Sequence, residues 1–438
     1  MRPSGFLLGV MLCVAACGGT AQLPSGPTEP PAPPATNDPG FALSGLREWY
    51  LIGNGATPGD DTLHLHVDAP AGTATIDAWI GDGAGTRLVE TIGGGFDLTA
   101  DLAALPAGVY PLLLAADGAD VAFARVTFQR SAPFYVLVST DWDFADPGDS
   151  MLAIQDTFHA EHPQLQITHF VGPYTFTDPA VTAERQARIA SWLLAQQSQH
   201  GDEIGLHIHP YCHFVADAGL PCVTDQSTVY ATDTTGYTIK LEAYARSQMV
   251  TLMNHANDLF AAHGLPRARS FCGGGWTSTL DTVKAAQEAG FTTEASAFNW
   301  SRIEEWKNVG TGELYRWLMA HWAPMNDRSQ PYYPRDSDVL ADAAPHLAIL
   351  EVPHNGLTVD YVNSAELEYL FAANWDGAPL AAPRTLQVGY HPAADFGHGY
   401  VVRLDGFLDL VDAHLAVRGA GPVVYTTMSA LVPAFPRP

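Results

Sequence analysis

The sequence predicts two folded units in series, an all-β sandwich over residues 41–130 and an α/β layer or barrel over residues 131–438. Three observations carry this. At 438 residues the chain exceeds one ordinary hydrophobic core, so two domains are expected. Between Phe41 and Gln129, short runs with frequent apolar/polar alternation are separated by turns rich in Gly, Asp and Pro. From Ala132 onward, strand patterns alternate with helical ones.

Ahead of both units lies a processing signal. Arg2 supplies the positive start, and Phe6–Val14 is an apolar run too short to span a bilayer as a mature helix. Val14-Ala15-Ala16-Cys17, followed by Gly18-Gly19, resembles a bacterial lipobox. Residues 1–17 are therefore expected to be a lipoprotein signal. Cys17 would be lipidated and anchor the chain to a membrane, on the outer membrane or cell surface. Residues 18–40 are rich in Pro, Thr and Ala and cannot form a core, so they read as an extended tether.

Composition narrows the partners. Lys+Arg 21 against Asp+Glu 47 gives a net charge of -26. Phosphate backbones would be repelled, which argues against nucleic acid. Neutral or cationic partners fit better, and the chain is expected to be a monomer. Once Cys13 and Cys17 are set aside, Cys212, Cys222 and Cys272 remain. An oxidising exterior favours one disulfide. Cys212–Cys222 closes a short loop and would stabilise it by ~2–3 kcal/mol; Cys212–Cys272 is the competing pair.

In the first unit, Thr62–Val67, Thr75–Ile80, Arg87–Thr91, Tyr110–Ala115 and Val121–Phe128 read as strands. Leu105–Tyr110 resembles the loop and strand of a bacterial immunoglobulin-like module, so the sandwich is expected to be immunoglobulin-like. His64 and His66 alternate on one strand and read as surface positions.

In the second unit, Phe134–Ser139 is continuously apolar, as in a strand buried on both faces. Gln166–Val171 (strand), Ala180–His200 (helix), Glu203–His207 (strand) and Leu241–His263 (long helix) follow. Next come Ala268–Phe271 (strand), Thr279–Ala289 (helix), and Thr292–Ala297 and Leu347–Val352 (strands). Leu386–Tyr390 (strand), Leu404–Val417 (helix) and Pro422–Thr427 (strand) complete the chain.

The chemistry gathers at strand ends. GDEIGLHIHPYCHF, residues 201–214, places His207, His209 and His213 in one short segment. Imidazoles at this density suit a borderline divalent ion such as Zn²⁺. In an extended chain His207 and His209 point to the same side; on a helical turn His209 and His213 share a face. Asp141 and Asp143 follow a buried strand, at the edge where parallel sheets bind ligands. His391 ends a further strand, placed to protonate a leaving group.

Taken in order, these segments resemble the polysaccharide deacetylase family of carbohydrate esterases, from about Ser131 to Val432. The resemblance rests on Thr140-Asp141-Trp142-Asp143, Glu203–His207, Arg269–Trp276, Thr293–Ser296 and Gly389-Tyr390-His391-Pro392. It implies a distorted (β/α)7 barrel, one divalent ion held by Asp-His-His, and hydrolysis of N- or O-acetyl groups on a polysaccharide. Zinc is the expected ion, with cobalt and nickel as alternatives. Asp141 matches the general base, Asp143 the metal ligand and His391 the acid, while Trp276 and Tyr211 could stack on a sugar ring and Arg269 is a further candidate for binding substrate. The family spaces its metal histidines at i and i+4, and from His207 that position is Tyr211. The pair is then His207 with His209, which we favour, or His209 with His213. Cys272 stands where the family commonly has an Arg that orients the base; Arg267 or Arg269 is the nearest substitute. Glu294 stands for an Asp and is a candidate to orient His391. A glycan-binding protein without catalysis, and a metalloamidase or esterase acting on a non-sugar substrate, are the rival readings.

Overall fold

The structure is a computed structural model that describes residues 38, 40–81, 86–89, 95–303, 312–392 and 399–438. The lipobox, Cys17, all but two residues of the tether and the end of the expected strand Arg87–Thr91 lie outside the described residues. Among the described residues, no helix is long and apolar enough to cross a membrane.

The first part of the chain forms β1 (Ala42–Ser44), β2 (Trp49–Leu51), β3 (Thr62–Asp68), β4 (Thr75–Ile80), β5 (Thr86–Val89), β6 (Phe96–Asp101), β7 (Gly108–Ala116) and β8 (Ala124–Ser131). They make two sheets, ordered β1-β3-β6 and β2-β8-β7-β4-β5. Alternation explains the packing. Leu63, Leu65 and Val67 on β3 and Phe96 and Leu98 on β6 face Ile76 and Ala78 on β4, Leu112 and Leu114 on β7 and Phe128 on β8. β6 has only two core-facing residues, too short a signal to read as a strand from sequence.

The remaining strands are β9 (Phe134–Asp141), β10 (Ile167–Val171), β11 (Glu203–Ile208), β12 (Ser270–Gly273), β13 (Thr293–Glu294), β14 (Pro334–Arg335), β15 (Asp338–Asp342), β16 (Leu350–Glu351), β17 (Arg384–Tyr390) and β18 (Val423–Tyr425). β14 and β15 form a separate hairpin, and the other eight form a parallel sheet, ordered β16-β13-β12-β11-β10-β9-β17 with β18 also on β9. β9 is buried at every position, as a central parallel strand requires. β16 and β17, at the two ends of the strand order, are spanned through isolated bridges, Phe298–His354 and Thr358–Gly389, so the sheet curls toward a barrel. Among the described residues it has eight strands, where about seven were expected.

Helices α1 (Asp149–Glu161), α2 (Ala183–His200), α3 (Cys212–Asp217), α4 (Arg246–Ala262), α5 (Leu280–Glu288), α6 (Gly312–His321), α7 (Ser364–Asn374), α8 (Gly399–Asp412) and α9 (Met428–Leu431) accompany the sheet. α2 starts at 183 rather than 180 because the Thr182 side chain caps it, accepting from Arg185 N–H, and it ends at Gly201 in the left-handed region, φ 77°. The expected helix over Leu241–His263 is broken. Leu241–Ala243 is a separate turn, and extended Tyr244 and Ala245 divide it from α4. α8 lies about five residues earlier than its sequence pattern suggested.

The two parts are stitched together. Tyr135 on β9 hydrogen-bonds Thr57 (2.8 Å) and Asn54 (3.0 Å), and Trp49 meets Trp375 edge to face. Cys212 pairs with Cys222, and Cys272 is left as a buried thiol.

Candidate metal centre

β9 ends in Asp141, and Asp143 follows two residues later on the loop. β11 ends at Ile208, so the chain is extended through His207 and His209 and both rings point to one side. Of the two geometries open from sequence, the structure adopts this one. Asp143 Oδ1 lies 3.1 Å from His207 Nε2 and 3.1 Å from His209 Nε2, and all three residues are buried. His213 is not brought to them. It sits on α3 with Nδ1 2.9 Å from Thr177 Oγ1 and its other nitrogen 3.8 Å from Asp178.

The outer hydrogen bonds decide what this cluster can hold. His207 Nδ1 is 3.0 Å from the Cys272 carbonyl, and His209 Nδ1 is 2.7 Å from the Tyr237 carbonyl. A carbonyl only accepts, so both Nδ1 atoms carry protons. In the neutral rings both Nε2 atoms are then bare lone pairs facing a carboxylate oxygen. Three electron-rich atoms within 4.8 Å of one another call for a cation, either added protons or a metal ion. Carbonyl-anchored imidazoles with one carboxylate are an N/N/O set suited to Zn²⁺, so the residues present fit the ion the resemblance implies.

Tyr237 completes the Asp143 environment, donating to Oδ2 at 2.6 Å. It reaches there because Gly236 takes φ 95° and passes close to Pro210; a Cβ on residue 236 would come within 2.3 Å of the Pro210 carbonyl. The loop carrying it is tied down by the Cys212–Cys222 disulfide and by Cys212 N–H donating to the Thr235 carbonyl, 2.7 Å. Burial raises the Asp143 carboxyl, but the histidine charges and hydrogen bonds outweigh it and hold it well below its ordinary range.

Asp141 is 1% exposed, and neither carboxylate oxygen has a hydrogen-bonding partner; burial raises its pKa. His391 lies across the site with Nε2 3.7 Å from Asp143 Oδ2. Its Nδ1 is 3.0 Å from Asp360 Oδ2, which also accepts from the His391 backbone N–H. Burial lowers the imidazole's pKa, but Asp143 and Asp360 outweigh it and bring it to about 9. A cavity of about 190 Å³ opens onto Asp141, Asp143, His207 and His391, walled by Tyr230, Tyr237, Trp276 and Tyr361.

Several sequence expectations are corrected. Glu294 does not orient His391; it is buried on β13, accepting from Ser278 Oγ (2.8 Å) and Ser296 N–H (2.9 Å). Asp360 holds His391 instead, and no sequence pattern singled it out, because a lone Asp in a loop carries no periodic signal. Arg269 is exposed at the entry of β12, the opposite end from the site, and Arg267 binds Asn254 and the Ala289 carbonyl. Among the described residues, no Lys or Arg lines the cavity. Trp276 does line it, with its ring centroid 6.2 Å from that of His391. The Tyr211 hydroxyl is committed to the Asp143 carbonyl at 3.1 Å.

No protein-family model and no curated protein matches the chain. Among solved structures it is similar to a family 4 carbohydrate esterase from Streptomyces lividans in complex with acetate (9% identity, 68% of this chain and 95% of that one, TM-score 0.34). It is also similar to the Xyl-CE4 domain of a multidomain xylanase from the hindgut metagenome of Trinervitermes trinervoides (7%, 68% and 88%, 0.35). A third is a 4-alpha-glucanotransferase from Thermococcus litoralis (11%, 68% and 39%, 0.39). At such identities and TM-scores the chemistry of this chain has to be read from its own side chains.

Proposed function

We propose that the chain is a metal-dependent hydrolase that removes N- or O-acetyl groups from a cell-surface or extracellular polysaccharide. One observation carries the reading: two carbonyl-anchored imidazoles converge on Asp143 beside a buried carboxylate, Asp141, and a carboxylate-held imidazole, His391, around one cavity. The acetyl-sugar substrate comes from the order of sequence motifs. A divalent ion held by Asp143, His207 and His209 would supply Lewis acidity toward an acyl carbonyl and acidify a water.

The chain's own residues do the rest. Asp141, with two unengaged oxygens, takes the proton of the attacking water. Its burial makes the carboxyl a stronger base than an ordinary aspartate. His391, held by Asp360, gives a proton to the leaving amine or alcohol. Trp276, Tyr230 and Tyr361 exclude water and offer apolar faces to a sugar ring. Residues 41–130 form an immunoglobulin-like spacer, residues 131–438 the catalytic domain, and lipidated Cys17 holds both outside the cytoplasm.

The test is metal content and acetate release on one sample, with a panel of acetylated glycans and Asp143→Ala as control. The reading predicts bound metal and acetate release, with the ion of the Asp143 centre and the release both lost in the variant. Metal without acetate from any glycan sinks it in favour of glycan binding. Cleavage of small acyl esters alone moves it to a non-sugar substrate.

A further inference from the structure

Behind the first centre lies a second group of ligand atoms. Asp141, Cys272 and His354 each offer one, all within 4.8 Å of one another, and the residues are 1%, 0% and 0% exposed. Hydrogen bonding does not account for them. Both Asp141 oxygens and His354 Nδ1 are buried without a hydrogen-bonding partner, and the Cys272 thiol makes only long contacts, 3.4 Å to the Ala295 carbonyl and 3.9 Å to the Gly273 carbonyl. A buried carboxylate with no donor costs several kcal/mol unless something positive sits beside it. Burial raises the Cys272 thiol's pKa, and the carboxylates Asp141, Glu294, Glu351 and Asp143 add to it, while the imidazoles of His207 and His391 act on His354.

We propose that Asp141, Cys272 and His354 form a second cation site, for a thiophilic divalent ion of zinc's class, beside the Asp143–His207–His209 centre. The donor set is one oxygen, one nitrogen and one sulfur, a combination zinc accepts with a fourth position left open. The surroundings of His354 suit it for ligation. Its Nε2 lies 2.8 Å from Gln387 Nε2, while Gln387 Oε1 is buried without a partner. Amide oxygen and nitrogen are assigned from their hydrogen bonds. Turned over, Gln387 accepts from Nε2–H through Oε1, which leaves the Nδ1 lone pair facing Asp141 and Cys272. A ligating histidine whose other nitrogen donates to a carbonyl oxygen is the usual arrangement around zinc. The two centres share a residue, since the Cys272 carbonyl accepts from His207 and its thiol belongs to the second site. A cation there also stands next to Asp141, where the sequence lacks a cationic side chain. Asp141 offers this site one oxygen and keeps the other for the attacking water, and the site does not depend on the hydrolase reading.

The test is metal stoichiometry on the full chain with Cys13→Ser and Cys17→Ser, so that Cys272 is the one thiol outside the disulfide. Zinc-saturated protein is expected to hold about two ions per chain, and about one in either Cys272→Ser or His354→Gln. Cobalt-loaded protein should show thiolate-to-cobalt charge-transfer absorption in the near ultraviolet, absent from Cys272→Ser and retained in Asp143→Asn. One ion per chain in the parent, two ions retained in both variants, or no thiolate absorption in cobalt-loaded parent protein would each overturn the proposal. The absorption is read on protein with Cys272 intact, so it stands even if a variant fails to fold. Because no step reads acetate, failure of the deacetylase reading stays separable.

Discussion

Among the described residues, two clusters join one aspartate to two histidines, and they differ in whether the ring nitrogens that face the carboxylate are free to carry protons. At Asp143, both Nδ1 atoms are spent on carbonyls, so Oδ1 meets two bare Nε2 atoms at 3.1 Å. At Asp202, Oδ2 also receives two Nε2 atoms, from His159 on α1 and His169 on β10, both at 2.9 Å. There His169 Nδ1 faces the Thr140 hydroxyl, which can donate, and His159 Nδ1 faces nothing that fixes it. Both Nε2 atoms are free to carry hydrogens, and Ile167 N–H donates to the other oxygen at 2.9 Å. Asp202 is therefore satisfied from within the protein, whereas Asp143 requires an added cation. The same three residue types make a structural knot in one place and a candidate metal site in the other, and the acceptors behind the rings make the difference.

The largest effect that would break this contrast is metal-linked stability. Zinc a thousandfold above its dissociation constant should stabilise the wild-type chain by about 4 kcal/mol. Thermal unfolding with and without zinc should show about that much of the gain lost in Asp143→Asn and none of it lost in Asp202→Asn. A gain lost in Asp202→Asn instead would mean that the cluster assignments are reversed.

Second in size is the acid dependence of Asp202. Burial raises its pKa, but hydrogen bonds from His159 and His169 outweigh it and bring it to about 2. An unfolded aspartate lies near 3.9, so the folded state binds fewer protons and stability rises with pH across that interval. The contribution, on the order of 2.6 kcal/mol, is fully present above about pH 4 and lost as pH falls toward 2. Asp202→Asn should lose about that amount at neutral pH and show a flatter unfolding profile between pH 4 and 2, with zinc binding intact. An unchanged acid profile would remove the cluster from the stability account.

Where the chain carries a local pattern, the sequence was readable. Period-two spacing offered His207 and His209 on one side of a strand end as one of two geometries, and the apolar run 134–139 marked the central strand that delivers Asp141. What stayed hidden depends on contacts distant in sequence. Asp360 meets His391 from 31 residues away, Tyr237 reaches back to Asp143 across 94, and His354 joins Asp141 and Cys272 only when the sheet curls. Helices α1, α6 and α7 were not anticipated at all. The Cys272 departure was visible, but its surroundings became legible only once Glu294 and Glu351 appeared around it.

The smallest effect concerns Tyr237, and it bears most directly on why one cluster binds metal. Its hydroxyl is 2.6 Å from Asp143 Oδ2, the oxygen that His207 and His209 do not face. That bond fixes the carboxylate so that Oδ1 stays between the two imidazoles. Outer partners of this kind typically change metal affinity tenfold to a hundredfold, about 1.4–2.7 kcal/mol. Tyr237→Phe keeps the ring against His209, 4.4 Å between centroids, and removes only the hydroxyl. Zinc affinity, measured by competition with a chelator, should fall within that range while the unfolding midpoint of the metal-free chain hardly moves. At Asp202 the corresponding bond comes from a backbone amide, which no side-chain substitution removes. Unchanged affinity in Tyr237→Phe would show that the two imidazoles alone set the carboxylate, and Tyr237 would then be part of the cavity wall.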